Sequence, residues 1–384
     1  YNTAVGYGAG AAVTTGIQNT LIGGLAGDAL TTGYENTAIG TNALASDTLG
    51  SRSTALGRGA LFTQNLTTAT ETFNVAVGIY TGGGMTTGID NTLIGSLAGD
   101  ALTDADKNTA LGRSALTADT LGSFSTAIGY AALSTQNFTT ATNTYNVAVG
   151  YNAGLSLTTG INNTLIGGSS GDQLTDADNN VAVGTGSLGS DTLGSKTTAI
   201  GKDALGVQNF TTATDSYNTA VGYLAGGAVT TGIQNTLIGG LAGDVLTDAD
   251  YNVAVGISAL GADTLGSRSV AIGGNCLTAQ NFTTATDSYN TAVGYAAGAG
   301  VTTGIRNTLI GGAAGDALTD ADYNVAIGMG ALGADVTGNK SVAIGVDALA
   351  TQNRSGDNLN VAVGYTAGIA VTTGVQNTIV GGLA

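Results

Sequence analysis

The sequence predicts an all-β protein, a parallel β-solenoid, and three observations lead to this fold class. The chain has 384 residues, of which 64 are glycine, and it contains no proline, tryptophan or histidine. Charged residues make up 9% and hydrophobic residues 42%, a composition that fits neither a disordered chain nor proline-dependent collagen. A short motif recurs along the whole chain at a nearly constant interval, which is typical of repeats that bury their apolar face only by stacking.

The motif has five residues, [N/S/T]-[T/V]-[A/L/I]-[V/I/L]-G, which we number positions 1 to 5, and it occurs 22 times. The copies begin at residues 2, 19, 36, 53, 74, 91, 108, 125, 146, 163, 180, 197, 218, 235, 252, 269, 290, 307, 324, 341, 360 and 377. The intervals run 17, 17, 17 and 21, with one of 19 after residue 341, so that every four copies make a 72-residue superrepeat. We therefore expect one array over residues 1–384, with superrepeats starting near 2, 74, 146, 218, 290 and 360.

Each 17-residue interval has room for two short strands and two tight corners, so it predicts one coil of the solenoid. Every fourth coil is an expanded 21-residue coil, and about 22 coils fit the chain. Because parallel strands stack about 4.8 Å apart, the expected array is a rod on the order of 100 Å long.

Side chains alternate along a strand, so positions 2 and 4 share one side and positions 3 and 5 share the other. Position 4 is always Val, Ile or Leu, and we assign this side to the interior of the coil. Position 3 is Ala in 16 copies and position 5 is Gly in all 22. Such a thin side predicts contact with a closely approaching neighbour.

The corners of the coil are predicted from Asn and Gly. Position 1 is Asn in 17 copies, and because Asn tolerates left-handed backbone angles we expect a corner residue whose amides stack as a ladder. A Thr-Thr-Gly segment predicts the opposite corner in one coil of every four, at residues 14–16, 86–88, 158–160, 230–232, 302–304 and 372–374.

The motif copies Ser269-Val270-Ala271-Ile272-Gly273 and Ser341-Val342-Ala343-Ile344-Gly345 resemble the S-V-A-I-G repeat of the YadA-like heads of trimeric autotransporter adhesins. Similar repeats occur in some phage tail fibres. The resemblance implies a left-handed parallel β-roll and a rigid, elongated head in which three chains lie side by side. We place the contact between chains on the Ala/Gly side. Coils in that family are somewhat shorter than these and lack the four-coil cycle.

The expanded coils carry a polar segment, as in residues 63–70, that predicts an outward loop on one face. Four of these segments carry a large apolar residue at the same place: Leu66, Phe138, Phe210 and Phe282. This residue either contacts a glycan or host protein or forms a small core under its own loop. The last copy is shorter and has Arg354 there. Each segment also contains an N-x-[ST] glycosylation pattern, at Asn65, Asn137, Asn209, Asn281 and Asn353.

An acidic pattern, G-D followed by T-D-A-D, recurs four times and could offer oxygen ligands to Ca²⁺. Its residues are Asp100, Asp104 and Asp106; Asp172, Asp176 and Asp178; Asp244, Asp248 and Asp250; and Asp316, Asp320 and Asp322. The spacing matches neither an EF-hand loop nor the nonapeptide of calcium β-rolls. Asp is also a common turn residue, so a structural role is the alternative, and we expect no other cofactor.

Composition argues against several functions. The 26 acidic residues outnumber the 10 basic ones, giving a net charge of −16, which disfavours nucleic acids and anionic membranes as partners. Without histidine and with one cysteine, Cys276, the chain lacks a histidine base and a disulfide framework. Cys276 stands where sister coils have Ala, which predicts a small buried residue. No enzyme motif is present, and four near-identical acidic segments favour structure over catalysis.

Ice binding through ranks of threonine is disfavoured because we place position 2 inside the coil and because the Thr-Thr corners occur only in every fourth coil. No apolar stretch approaches the roughly 20 residues of a membrane span. The chain starts at Tyr1 without methionine and ends on Gly-Gly-Leu-Ala, so we expect a segment of a longer protein. The expected function is a structural fibre or adhesin segment, extracellular on a cell or virion surface, that binds copies of itself and a host protein or glycan. A tail-fibre shaft and a spacer without a receptor are the alternatives.

Overall fold

The structure is a computed structural model that describes residues 1–384. It confirms an all-β parallel solenoid, and it contains no helix. The chain forms two compact units: the first comprises Tyr1–Ser195 with Thr211–Ala213, and the second comprises Lys196–Phe210 with Thr214–Ala384. Each unit has eleven coils, which together make about 22 turns.

Each coil contributes one three-residue strand, formed by positions 2 to 4, to a parallel sheet. In the first unit these strands are β1 (Thr3–Val5), β2 (Thr20–Ile22), β3 (Thr37–Ile39), β5 (Thr54–Leu56), β7 (Val75–Val77), β8 (Thr92–Ile94), β9 (Thr109–Leu111), β11 (Thr126–Ile128), β13 (Val147–Val149), β14 (Thr164–Ile166) and β15 (Val181–Val183). In the second unit they are β17 (Thr198–Ile200), β19 (Thr219–Val221), β20 (Thr236–Ile238), β21 (Val253–Val255), β23 (Val270–Ile272), β25 (Thr291–Val293), β26 (Thr308–Ile310), β27 (Val325–Ile327), β29 (Val342–Ile344), β31 (Val361–Val363) and β32 (Thr378–Val380).

Two-residue strands form where a coil meets an expanded coil. They are β4 (Gly50–Ser51), β6 (Thr70–Glu71), β10 (Gly122–Ser123), β12 (Thr142–Asn143) and β16 (Gly194–Ser195) in the first unit, and β18 (Thr214–Asp215), β22 (Gly266–Ser267), β24 (Thr286–Asp287), β28 (Gly338–Asn339) and β30 (Gly356–Asp357) in the second. Within the units β4 pairs with β6, β10 with β12, β22 with β24 and β28 with β30, all parallel.

Strands of successive coils pair so that equal motif positions face each other. Thr3 pairs with Thr20 across an ordinary 17-residue coil, and Thr54 pairs with Val75 across an expanded 21-residue coil. The extra residues of the expanded coil therefore leave the long sheet in register and go into the polar segment and the two-residue strands.

The core lies on the side of the strand that we assigned to chain–chain contact. Position 3 is buried in every coil except the first and the last, as in Ala38 and Leu93, whereas Ile94 and Leu56 at position 4 keep 36% and 41% of their surface exposed. Our assignment of the two sides is therefore wrong. The interior of a 17-residue coil is narrow, so it accepts alanine and leucine, while the β-branched residues form the outside of the sheet.

One larger side chain per coil completes the core, and it comes from one of two places. We continue the numbering of positions beyond the motif, along the rest of the coil. Coils with Gly at position 9 have the large apolar residue at position 12, as in the pair Gly99 and Leu102. The other coils have Leu at position 9 and a polar residue at position 12, as in the pair Leu116 and Asp119. Leu102, Leu116 and Asp119 are all fully buried.

The glycine at position 5 does mark a close neighbour, but that neighbour is the next coil of the same chain. Gly95 has a φ of +130°, and a Cβ built on it would lie 2.5 Å from the carbonyl oxygen of Gly112. Only glycine fits such a backbone angle and such a contact. The invariant glycine therefore reflects stacking of coils, and it is not evidence for a contact between chains.

The predicted asparagine ladder is present, and it joins the side chains to the backbone as well as to each other, as where Asn91 Nδ2 donates to Asn74 Oδ1 at 3.4 Å. The Oδ1 of Asn91 accepts the backbone N–H of Asn108 at 2.9 Å, and its Nδ2 donates to the carbonyl oxygen of Ala105 at 2.8 Å. Asn91 itself is not left-handed; the residue before it, Asp90, has a φ of +60°. Asn is thus needed for its two hydrogen bonds, and the left-handed corner precedes it.

Candidate functional site

Positions 2 and 4 of each unit form what we call the outer sheet face. Its side chains are Thr or Val at position 2 and Val, Ile or Leu at position 4, with no charged residue in any of the 22 coils. Position 4 remains 57% exposed in Val5 and 44% in Leu111. Large exposed apolar patches are typical of interaction surfaces, so the outer sheet face is a candidate interaction face.

Two columns of tyrosine flank the outer sheet face. One column is the residue immediately before position 1, which we call position 0, and the other is position 6. They contain 12 of the 14 tyrosines: Tyr1, Tyr145, Tyr217, Tyr251, Tyr289 and Tyr323 at position 0, and Tyr7, Tyr130, Tyr151, Tyr223, Tyr295 and Tyr365 at position 6. All twelve are exposed. Tyrosine is enriched in binding interfaces because it combines apolar area with a polar group.

Position 0 also collects six of the ten basic residues: Arg52, Lys107, Lys196, Arg268, Arg306 and Lys340. Five of the six lie near aromatic rings of neighbouring coils. The guanidinium of Arg268 lies 4.6 Å from the ring centre of Tyr251 and 5.9 Å from that of Tyr289. From Tyr251 to Lys340 the column alternates aromatic and basic side chains, and cation–π contacts join Arg268 and Arg306 to their aromatic neighbours.

Acidic residues of the two-residue strands pair with these cations. Lys196 Nζ lies 2.5 Å from Asp215 Oδ2, and Lys340 Nζ lies 2.6 Å from Asp357 Oδ2. The hydrogen bond from Lys196 lowers the pKa of Asp215, and the hydrogen bond from Lys340 lowers that of Asp357. The column thus carries charges of both signs in direct contact with each other.

The apolar side chains of the expanded coils are buried rather than displayed. Leu66, Phe138, Phe210 and Phe282 keep only 5%, 6%, 5% and 5% of their surface exposed. The structure therefore favours the small core under each loop over a direct receptor contact. The exposed tip consists of the following residues, Thr139, Thr140 and Ala141 in the second copy. The five asparagines of the glycosylation pattern are exposed at the start of the segments.

The repeated acidic residues make hydrogen bonds between coils. Asp106 Oδ1 accepts the backbone N–H of Ile89 at 2.8 Å, and Asp104 Oδ1 accepts the hydroxyl of Thr87 at 2.6 Å. The same backbone contact recurs at Asp178, Asp250 and Asp322. These hydrogen bonds link neighbouring coils, so the second and third Asp of each segment have a structural role.

The first Asp of each segment lies apart from that pair. Burial raises the pKa of Asp172, Asp244 and Asp316, and Asp100 Oδ1 accepts a hydrogen bond from Thr117. The structure contains no group of three or more acidic, histidine or cysteine side chains that could hold one metal ion. The arrangement matches the structural alternative, and a calcium role stays a prediction for solution measurements.

A set of buried polar residues was missed by the sequence reasoning. Asp47, Gln64 and Ser53 are fully buried in the interior at the first expanded coil, and their equivalents recur at the other four. The available signal was the polar residue at position 12 where other coils have Leu, Val or Met. Cys276, in contrast, is fully buried as predicted, and burial raises its pKa to about 12.

Membrane-spanning helices are absent from the structure. In comparisons with protein-family models and with curated proteins, this chain matches none of them.

Proposed function

We propose that the chain is a segment of an extracellular fibre that projects from a cell or virion surface and mediates attachment, as in the YadA-like heads that its repeats resemble. The outer sheet face carries this proposal. It is an uncharged, apolar strip that continues over eleven coils in each unit, bordered by exposed tyrosines. A stacked solenoid with such a strip is suited to rigid display and to side-by-side assembly.

We place the contact between chains on the outer sheet face, with three copies packing through it in a homotrimer. The chain has a net charge of −16, so copies repel one another over most of their surface, while this face has no charge to repel. Burying its Val, Ile and Leu side chains would contribute about 25 cal/mol per Å² of apolar surface. We also propose that the coils are left-handed and contain 17 residues, and that every fourth coil is expanded to 21 residues.

The position 6 tyrosines and the expanded-coil tips would supply the contacts to a host glycan or protein. Tyr295 is 70% exposed and Tyr365 is 59% exposed, and equivalent groups recur in every superrepeat. Weak contacts that repeat along a stiff scaffold add up to strong attachment when the partner is also multivalent.

Light scattering on the purified chain tests the assembly. We expect three times the chain mass of 37.2 kDa. The double substitution Ile94→Asp and Ile128→Asp should give single chains that keep their β-sheet circular dichroism, because both side chains lie on the outer sheet face. The matched control, Thr139→Asp at a loop tip, should still assemble. A wild-type particle of 37.2 kDa would refute the trimer.

Beads coated with the chain test attachment, using host cells and immobilised glycans as targets. Replacing Thr139, Thr140 and Ala141 by glycine leaves buried Phe138 in place, and a second variant replaces Tyr295 and Tyr365 by alanine. Loss of adhesion in either variant supports attachment and identifies its surface. If beads coated with the wild-type chain adhere no better than uncoated beads, attachment is refuted and a spacer without a receptor becomes the better description.

A further inference from the structure

A cluster of five polar residues lies in the interior at the expanded coils that fall within one unit. The expanded coil supplies two members, a hydroxyl residue at position 1 and a glutamine at position 12. The preceding coil supplies an aspartate at its position 12. The last two members are a second polar residue just before the next motif copy and the asparagine at position 1 of that copy. In the second copy these are Ser125, Gln136, Asp119, Thr144 and Asn146, and all five are buried with at most 1% of their surface exposed.

The glutamine is the centre of each cluster. Gln136 Nε2 lies 2.8 Å from Ser125 Oγ and 2.5 Å from Asp119 Oδ2, and Asn146 Nδ2 donates to Gln136 Oε1 at 2.9 Å. The distance from the hydroxyl oxygen to the glutamine nitrogen is 3.0, 2.8, 3.3, 2.8 and 3.0 Å in the five copies. The asparagine donates to the glutamine oxygen in all five.

The sequence couples the hydroxyl to the glutamine. Position 1 is Asn in 17 coils and Ser or Thr in five, and those five are the only coils with Gln at position 12: Ser53 with Gln64, Ser125 with Gln136, Thr197 with Gln208, Ser269 with Gln280, and Ser341 with Gln352. A general need for polar residues in the core would be met by many combinations. The fixed pair keeps the glutamine amide within hydrogen-bond distance of the hydroxyl oxygen in all five coils.

We propose that the hydroxyl and the glutamine of each cluster join in an intramolecular ester. The hydroxyl oxygen attacks the glutamine Cδ, a C–O bond forms, the C–N bond breaks, and the amide nitrogen leaves as ammonia with the proton of the hydroxyl. No oxidant or second substrate is needed. Nucleophile and amide are held in contact, which replaces a bimolecular encounter by an internal step.

The neighbouring groups are placed for this acyl transfer. Asn146 donates to the oxygen on which negative charge develops, and Asp119 accepts a hydrogen bond from the departing nitrogen and so fixes the orientation of the amide. The hydroxyl oxygen lies within hydrogen-bond distance of that nitrogen, so its proton can pass directly to the leaving ammonia. Exclusion of water would protect the finished ester from hydrolysis, and the link would close the expanded coil across its interior.

Mass spectrometry of the full wild-type chain decides the question. We expect an intact mass below the sequence mass by one ammonia for each ester formed, with a maximum of five. Trypsin cleaves after Arg52 and Arg58, so an ester from Ser53 to Gln64 would keep peptide 53–58 attached to peptide 59–107 after denaturation. Peptide 197–202 would likewise stay attached to peptide 203–268. Mild hydroxide should release both short peptides.

Ser53→Ala provides the internal control. It should free peptide 53–58, which then begins with an unlinked alanine, while peptide 197–202 remains attached. If this variant fails to fold, the wild-type peptide map still decides. An intact wild-type mass equal to the sequence mass, with both short peptides free, would overturn the proposal, and so would an increase in mass from deamidation of the glutamines.

Discussion

Removal of one asparagine from the ladder should destabilise the second unit far more than removal of an exposed neighbour. Asn307 is fully buried. Its Oδ1 accepts the backbone N–H of Asn324 at 3.0 Å, and its Nδ2 donates to the carbonyl oxygen of Ala321 at 2.7 Å. Asn307→Ala leaves both of these groups without a partner in the interior.

The magnitude follows from those two groups. An orphaned buried donor or acceptor costs about 1–3 kcal/mol, so the substitution should lower the free energy of unfolding by about 2–6 kcal/mol. This is a large share of the roughly 5–15 kcal/mol that is typical of a folded domain. The neighbouring substitution Arg306→Ala is the control, since Arg306 is exposed and its guanidinium lies 5.2 Å from the ring centre of Tyr323.

Two measurements check the effect. Circular dichroism during chemical unfolding should show a clear loss of stability for Asn307→Ala and little change for Arg306→Ala. Hydrogen exchange should speed up at the amide of Asn324, because its acceptor is gone. Equal unfolding curves for the two variants, or an unchanged exchange rate at Asn324, would refute the view that the ladder stabilises the coils.

Three further outcomes are expected. Ala148→Phe should destabilise the chain by about 1–3 kcal/mol through overpacking, whereas Val149→Phe on the outer sheet face should leave unfolding nearly unchanged; the reverse order by circular dichroism would restore our original assignment of the sides. Burial raises the pKa of Asp335, so its carboxyl group binds a proton more tightly in the native state than in the unfolded state. The contribution of Asp335 to the free energy of unfolding should therefore rise as the pH falls from the raised pKa to about 4. Asp335→Asn should flatten that part of the pH profile of unfolding. Cys276, with a pKa raised to about 12 by burial, should resist iodoacetamide at neutral pH in the native chain and react after unfolding; native labelling at the unfolded rate would contradict its burial.

The coil and its stacking could be predicted because they depend on residues that every repeat shares. Register is set by the asparagine at position 1 and the glycine at position 5, and both recur at the period of the motif. A one-residue slip would separate the amide of Asn91 from Asn108 and place a side chain against the backbone of Gly112. The period therefore determines the strand pairing directly.

The sides of the strand were assigned wrongly because residue size was taken as the signal for the interior. Polarity was the better signal: position 2 is Thr in 14 copies, whereas position 3 is never polar. A narrow coil needs small residues inside, and Ala76 and Leu93 are both fully buried at position 3. With threonine outside, the remaining argument against ice binding is that no coil carries Thr at both position 2 and position 4.

The sequence left open whether the apolar residues of the expanded coils are buried or displayed. Phe138 keeps only 6% of its surface exposed, so it lies under its own loop, where an expanded coil needs a small core of its own. The tyrosine columns lie outside the five-residue motif, and such a column is visible only when equivalent positions are aligned from coil to coil.

The position 0 column shows that its charges come in pairs. A basic residue stands before an expanded coil and an acidic residue stands in the two-residue strand beside it in four superrepeats: Arg52 with Glu71, Lys196 with Asp215, Arg268 with Asp287, and Lys340 with Asp357. In the remaining superrepeat both charges are replaced together, by Phe124 and Asn143, and Phe124 lies 5.4 Å from the ring of Tyr145. No superrepeat has one charge of this pair without the other, so each cation in these five places has an acidic neighbour that balances it. Where both charges are missing, the aromatic contact between Phe124 and Tyr145 takes the place of the ion pair.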